Sequence, residues 1–410
     1  MNISVAVISD LHVGSGSRAT DFSLPGSSVS SIDNYLDRYK SFVSSNNIKA
    51  NYLLVPGDIT NRAGVLEFEL ASRRIVEIAE CLGVPESKIL FCPGNHDIDW
   101  ETIKALSVLG HPEDQIIKSK YFNFHSAGNI FIKNIGAATG RFDVAPYLVD
   151  WEFDDLVVFS LNTAVFDDPD RKPHCGEVRP EQIDAIDKIL SARLNPDKLK
   201  IFMFHHHPIQ YLDSTFTIPD FSIMSNAAGL LNLLAKHQFD FVVHGHKHIP
   251  RFNMEIKNAG HPLSILCAGS FCAFLDNRYF DSVGNNFHLV EFHDRCGSSN
   301  YARGVVKTWT FFQGKGWTPS LPSPGIESQQ YFGAFQPRPV LVETLRVRLE
   351  EHFKIAQYLK WDEFVLRNPD LRYYTNDALR QAIEDVSGIL GITPHAMEES
   401  NLDKLVILKG

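Results

Sequence analysis

Five short polar segments of this chain carry residues able to hold metal ions. They are Asp10-Leu11-His12, Gly57-Asp58, Gly94-Asn95-His96-Asp97, His205-His206-His207-Pro208 and Gly245-His246-Lys247-His248. Together they offer carboxylates, a carboxamide oxygen and imidazoles, a donor set suited to two neighbouring divalent transition metals. One Asp-x-His pair arises easily by chance; five such segments in order, each after an apolar run, do not. Ions held about 3.5–4 Å apart repel each other, so one ligand has to bridge them. A carboxylate can bridge and a neutral imidazole cannot. Asp58 is the candidate bridge, because it follows the apolar run Tyr52–Pro56 and Gly57 lets the backbone approach the ions closely. Asp10 and His12 stand two apart, a spacing that on an extended segment aims both side chains at one ion. His246 and His248 repeat that spacing and can divide between the two ions. Asn95 adds a neutral oxygen, which keeps the charge low and the metals Lewis-acidic. His96 lies beside a ligand yet is free to move a proton, and Asp97 is read as holding a ligand histidine in orientation.

Ligands so far apart in sequence need a scaffold that brings them to one place. Strand-like apolar runs occur at Ile3–Ser9, Tyr52–Pro56, Lys88–Cys92, Leu156–Leu161, Lys200–Phe204, Phe239–His244 and Leu263–Ala268. Several are continuous rather than alternating, as expected of strands buried on both faces. Helical patterns lie between them: Ile32, Leu36, Tyr39 and Val43 share a face, as do Leu66, Leu70, Ile75, Ile78 and Leu82. Pro180 opens another helix and Leu230, Leu233 and Leu234 mark a fourth. This alternation predicts an α/β core with mainly parallel central strands. Functional residues of open α/β sheets gather at the carboxyl ends of strands, and all five segments follow a strand.

The organisation expected is a catalytic domain over residues 1–315, with 100–150 as a cap insertion. A Pro/Ser/Gly/Gln-rich linker over 316–339 and a C-terminal helical appendage over 340–410 complete it. The charge of 39 − 49 = −10, without a basic cluster, argues against long nucleic acids as partners. A small anionic substrate remains open, since bound metals supply local positive charge. Six cysteines without C-x-x-C spacing read as reduced thiols. No run reaches the roughly 18 apolar residues of a membrane helix. Ile3–Ile8 is too short for a signal-peptide core and leads straight into Asp10. The expected location is therefore the cytoplasm.

The five segments, in this order, resemble the calcineurin-like metallophosphoesterase superfamily over approximately residues 1–315. That resemblance implies a four-layer α/β/β/α sandwich. It implies a first metal held by Asp10, His12, Asp58 and His248 and a second held by Asp58, Asn95, His206 and His246, the ions being Mn, Fe or Zn. It further implies in-line attack of a metal-bridging hydroxide on phosphorus, with His96 contacting the phosphate and protonating the leaving group. Within the triple histidine, matching His-x-Pro backward from Pro208 selects His206, with His205 as the alternative. Ser160-Leu161-Asn162-Thr163-Ala164, with His174-Cys175-Gly176-Glu177 and Pro180-Glu181-Gln182, is similar to the class III cyclic-nucleotide phosphodiesterase branch. A small phosphodiester is then the expected substrate. A phosphomonoesterase or nuclease would use the same metals. A non-catalytic scaffold would instead act on a protein partner, or a second copy of the chain, through residues 340–410.

Overall fold

The computed structural model describes residues 2–125, 130–142, 148–168, 170, 174–193, 197–211, 223–256, 260–276, 280, 283–297, 299–322, 325–396 and 402–410. Two compact units are present, one of residues 3–290 and 308–326, the other of 291–307 and 327–410 together with Asn2.

The first unit is built on two sheets, to the first of which it contributes residues 285–290 and 308–312 of two longer strands. The first sheet has the order β13-β12-β11-β1-β2-β3, where β1 is Ile3–Val7, β2 Tyr52–Pro56, β3 Ile89–Cys92, β11 Asn285–Arg295, β12 Ala302–Phe312 and β13 Gly316–Pro319. The second has the order β4-β5-β6-β7-β8-β10-β9, comprising β4 Gly140–Phe142, β5 Leu148–Glu152, β6 Leu156–Leu161, β7 Leu199–Met203, β8 Phe241–His244, β9 Arg251–Ile256 and β10 Pro262–Cys267. The central strands are parallel, β1 with β2 and β2 with β3 in one sheet, and β6 through β7 and β8 to β10 in the other. Their sequences are continuous apolar runs because helices cover one face of each sheet and the other sheet covers the second. Tyr35, Leu36, Tyr39 and Val43 of the helix Tyr35–Ser45, and Phe68, Ile75, Ile78 and Leu82 of the helix Val65–Leu82, bury against Ala6, Ile8, Leu53, Val55 and Phe91. On the other sheet, Ile186 and Leu190 of Pro180–Arg193 and Leu230 and Leu234 of Ala227–Lys236 meet Phe159, Phe202, Phe204, Val242 and Ile265. Each such side chain contributes about 1.5–3 kcal/mol on burial. Between the sheets, Ser160 Oγ donates to Phe91 O at 2.8 Å and Cys92 Sγ to Leu161 O at 3.2 Å. The result is the four-layer arrangement expected.

In the stretch 100–150, helices form at Trp100–Val108, Glu113–Ser119 and Ile130–Gly136, and the end of the stretch joins the second sheet as β4 and β5. Residues 126–129 and 143–147 of it lie outside the described ones. Among the described residues no helix is long and apolar enough to cross a membrane.

In the second unit, β14 (Gln329–Phe332) pairs with Gly304–Lys307 of β12. Helices Arg338–Phe353, Trp361–Arg367 and Asn376–Leu390 share a core of Leu341, Leu345, Leu349, Trp361, Phe364, Ile383 and Ile407. The four-residue spacing of Leu341, Leu345 and Leu349 puts all three on one face. A small sheet of β15 (Tyr358–Lys360), β16 (Thr393–Ala396) and β17 (Leu405–Leu408), ordered β15-β17-β16, accompanies the helices.

Candidate metal centre

All five polar segments emerge at carboxyl ends of central strands: from β1, β2 and β3 of one sheet and from β7 and β8 of the other. The loops after β1 and β2 are zipped together, with Asp10 N donating to Gly57 O at 3.1 Å, His12 N to Asp58 O at 3.0 Å and Val13 N to Ile59 O at 3.0 Å. The segment Asp10–His12 is not extended, contrary to the sequence expectation. Asp10, His12, Asp58, His246 and His248 all adopt left-handed backbone, with φ of 50°, 47°, 48°, 75° and 58°. Side chains with a Cβ resist this conformation, and such strain concentrates where a site over-determines the backbone. Here it turns successive polar side chains inward from tight loops.

Two donor groups result. Asp10, His12, Asp58 and His248 each offer a ligand atom within 4.8 Å of the others. His248 Nε2 lies 3.3 Å from Asp10 Oδ1 and 3.3 Å from His12 Nε2. His205, His206 and His246 form the second group on the same measure. Asp58 faces both, its Oδ2 standing 3.6 Å from His12 Nε2 and 3.2 Å from His205 Nε2. Its other oxygen accepts from His96 N at 2.8 Å. Asn95 Oδ1 is buried without a hydrogen-bond partner, as is His205 Nε2. Orphaned buried acceptors are costly, and a set of oxygen and imidazole donors around them fits divalent transition metals. His246 and His248 divide between the groups, as their spacing allowed.

Charge at the site follows from these contacts. Burial, reinforced by His96, holds His12 well below the usual histidine range, the neutral state a ligand needs. Burial does the same to His246, with His206 and His205 beside it. Burial opposes ionisation of Asp58, but His205, His96 and His12 outweigh it and keep the carboxyl well below its ordinary range. Burial would likewise lower His205, yet the Asp58 carboxylate pushes it up to about 9.

The triple histidine splits by strand phase. Phe202 and Phe204 point into the helix-side core, so alternation turns Met203 and His205 to the opposite side. There His205 Nδ1 reaches Pro56 O at 2.9 Å and Nε2 reaches Asp58. His206 belongs to the same donor group, with its ring nitrogens beside other protein groups. Thr163 Oγ1 lies 2.9 Å from Nδ1 and accepts from the His206 backbone N–H at 3.3 Å, while Asp167 Oδ2 lies 3.3 Å from Nε2. Thr163 was noticed only as part of a strand-end segment, and Asp167 was missed; no spacing rule flags a lone aspartate in a loop.

His96 Nδ1 is 3.0 Å from Asn61 O. A carbonyl only accepts, so Nδ1 carries the proton and Nε2 is left for exchange. His96 and Asn95 line a cavity of about 530 Å³ with Asn61, Arg62, Trp100 and His174. Trp100 Nε1 donates to Asn95 O at 2.9 Å and its ring stacks on His174 at 4.3 Å. Among the described residues Asp97 holds no histidine. Fully buried, it accepts from Ile59 N and Gly94 N through one oxygen and from Thr60 N and Thr60 Oγ1 through the other. It clamps the loop after β2 to the turn after β3. Gly94 is required in that turn, because a Cβ there would sit 2.2 Å from Asp58 Oδ1.

Several solved structures resemble this fold. A dimetal phosphatase from Danio rerio is 11% identical with a TM-score of 0.44, covering 81% of this chain and 98% of its own. A purple acid phosphatase from yellow lupin (Lupinus luteus) seeds is 14% identical with a TM-score of 0.41, covering 76% of this chain and 52% of its own. The GAP50 anchor of the Plasmodium inner membrane complex is 13% identical with a TM-score of 0.41, covering 82% and 90%. No curated protein sequence matches the chain. The profile of the calcineurin-like phosphoesterases matches residues 3–250, a span that holds every one of the five segments and both donor groups: the chain belongs to the calcineurin-like phosphoesterase family, hydrolases that act with divalent metal ions.

Proposed function

We propose that this chain hydrolyses a small phosphodiester, a cyclic nucleotide or a related compound, at a two-metal site centred on Asp58. The observation that carries the reading is the single Asp58 carboxylate oxygen facing His12 on one side and His205 on the other. Asp10, His12, Asp58 and His248 would hold one ion. Asp58, Asn95, His205 and His246 would hold the other. His205 is preferred here to His206, the choice of the His-x-Pro match, because its Nε2 stands 3.2 Å from Asp58 Oδ2 whereas that of His206 stands 3.3 Å from Asp167 Oδ2. Bound divalent ions supply Lewis acidity, acidifying water and neutralising phosphoryl charge. Mn, Fe and Zn all suit this donor set.

The chain's own groups do the rest. His96 lines the cavity with Asn95, and its Nδ1 is anchored on Asn61 O, which leaves Nε2 to deliver a proton to a departing oxygen. Arg62, on the wall of the same cavity, adds a positive charge for an anionic substrate. The free thiols of Cys81, Cys92, Cys267 and Cys272 suit a reducing compartment such as the cytoplasm. Residues 340–410 are left available for a protein partner or a second copy.

The test is turnover of bis-p-nitrophenyl phosphate against p-nitrophenyl phosphate with added manganese, followed by a panel of cyclic nucleotides, dinucleotides and glycerophosphodiesters. Preference for the monoester would replace the diesterase reading with a phosphatase. No hydrolysis under any divalent metal would favour the scaffold.

A further inference from the structure

We infer that Asp167, acting through His206, is a positioning residue for the second metal ion; this rests on the two-metal reading above. The two donor groups differ in charge. The first contains two carboxylates, Asp10 and Asp58, whereas the second has only its share of Asp58, with Asn95 and imidazoles for the remainder. Asp167 is a buried carboxylate on the His206 side of that group. It is 8% exposed, and its Oδ2 faces His206 Nε2 at 3.3 Å, both atoms being buried without a hydrogen-bond partner of good geometry. Its other oxygen is fixed by Gly176 N at 2.9 Å.

His206 is equally constrained. The Thr163 hydroxyl accepts from the His206 backbone N–H, which leaves its own proton for His206 Nδ1. That sets Nδ1 as acceptor and puts the ring proton on Nε2, 3.3 Å from Asp167 Oδ2. The ring then lies against both histidines assigned to the second ion, with centroids 5.0 Å from His205 and 4.6 Å from His246. Gly176, at φ 72°, leaves room for it, since a Cβ there would meet His206 Nδ1 at 2.4 Å. Thr163, Asp167 and Gly176 thus form a socket for one ring, and that ring sets the position of two ligands. The buried negative charge behind them also favours a dication in front. Outer groups that orient metal ligands typically change metal affinity by about 10–100-fold when removed.

The experiment is calorimetric titration of the metal-free full chain with manganese, comparing wild type, Asp167→Asn and His206→Gln. Two ions should bind wild type, and in Asp167→Asn the weaker step should lose about 10–100-fold in affinity while the tighter step stays within twofold. His206→Gln should show the same selective loss and serves as the readout should Asp167→Asn fail to fold. A role in fold stability alone would lower Tm and leave both binding steps unchanged, which overturns the inference. Equal weakening of both steps overturns it too. A wild type that binds no second ion refutes the two-metal reading itself, and this proposal with it.

Discussion

Replacing Asp97 by asparagine separates the clamp's mechanical role from its electrostatic cost. The Asp97 carboxylate accepts four hydrogen bonds at 2.8–3.2 Å, three from backbone N–H groups and one from the Thr60 hydroxyl. Burial, with Asp58 behind it, holds this carboxyl up at about 6. That is roughly two units above an ordinary aspartate, so ionising it at neutral pH costs about 3 kcal/mol. An asparagine does best with its NH₂ toward Thr60, where the hydroxyl can turn to accept. One buried N–H, that of Thr60, is then stranded at about 1–3 kcal/mol, and the bonds from Ile59 and Gly94 weaken by about 1 kcal/mol each. Set against the relieved ionisation cost, the net loss is about 0–2 kcal/mol, a fall in Tm of less than about 8 °C. Alanine strands all three N–H groups and should cost several kcal/mol more. Metal affinity should nevertheless fall by about 10–100-fold in Asp97→Asn, because Thr60 is two residues from Asp58 and its backbone N–H loses its anchor. Thermal unfolding of metal-free protein gives the first quantity and manganese calorimetry the second. An asparagine variant as unstable as the alanine variant would show that no ionisation cost was relieved. Unchanged manganese binding would show that the clamp does not position Asp58.

His96→Ala should retain both ions by elemental analysis yet lower kcat on an unactivated alkyl diester by about 10²–10⁴-fold; an unchanged kcat would reduce His96 to a brace for its turn. Gly94→Ala drives a Cβ to 2.2 Å from Asp58 Oδ1 and 2.5 Å from Asp58 N, so metal content should drop. Gly136→Ala, with nothing within 4 Å, should keep its metals; equal metal content in the two variants would dismiss the steric account. Lys120 is buried with its ammonium on Val165 O and Asp167 O, and burial, against the pull of Asp167 and Asp168, lowers it to about 8. Between pH 8 and 10 the unfolded chain keeps a proton that the folded chain has released, so this residue makes stability rise with pH. Lys120→Met should remove a rise of up to about 3 kcal/mol, read as the pH dependence of the difference in urea midpoint between wild type and variant. Parallel curves for the two proteins would dispose of the assignment.

The central strands could be read from the sequence because burial on both faces leaves an unbroken apolar run, as in Tyr52–Pro56 and Leu156–Leu161. Local pattern was weaker where strands are short: Tyr358–Lys360 has three residues, too few for any periodicity. The donor residues were legible because metals demand particular atoms. Their backbone was not, since left-handed conformations at Asp10 and His12 arise from loops pairing across 47 positions, as Asp10 N does with Gly57 O. The choice between His205 and His206 stayed open because three consecutive histidines share one motif, and both rings sit in the second donor group. Asp97 was misjudged because its four partners are mostly backbone groups, which carry no signature in a side-chain code.

The left-handed backbone at Asp10, His12, Asp58, His246 and His248 sets selection for stability against selection for turnover. At roughly 1 kcal/mol or more per residue, the five together rival the 5–15 kcal/mol by which a domain is usually stable. Glycine at any of them would relax the backbone while deleting a ligand. A library of this protein screened only for heat resistance should therefore enrich glycine at positions 10, 12, 58, 246 and 248 and return sturdy, inert proteins. A lineage relieved of its substrate would drift the same way, gaining stability at each lost ligand, so that the ligand loops would be the first part of the sequence to record the loss.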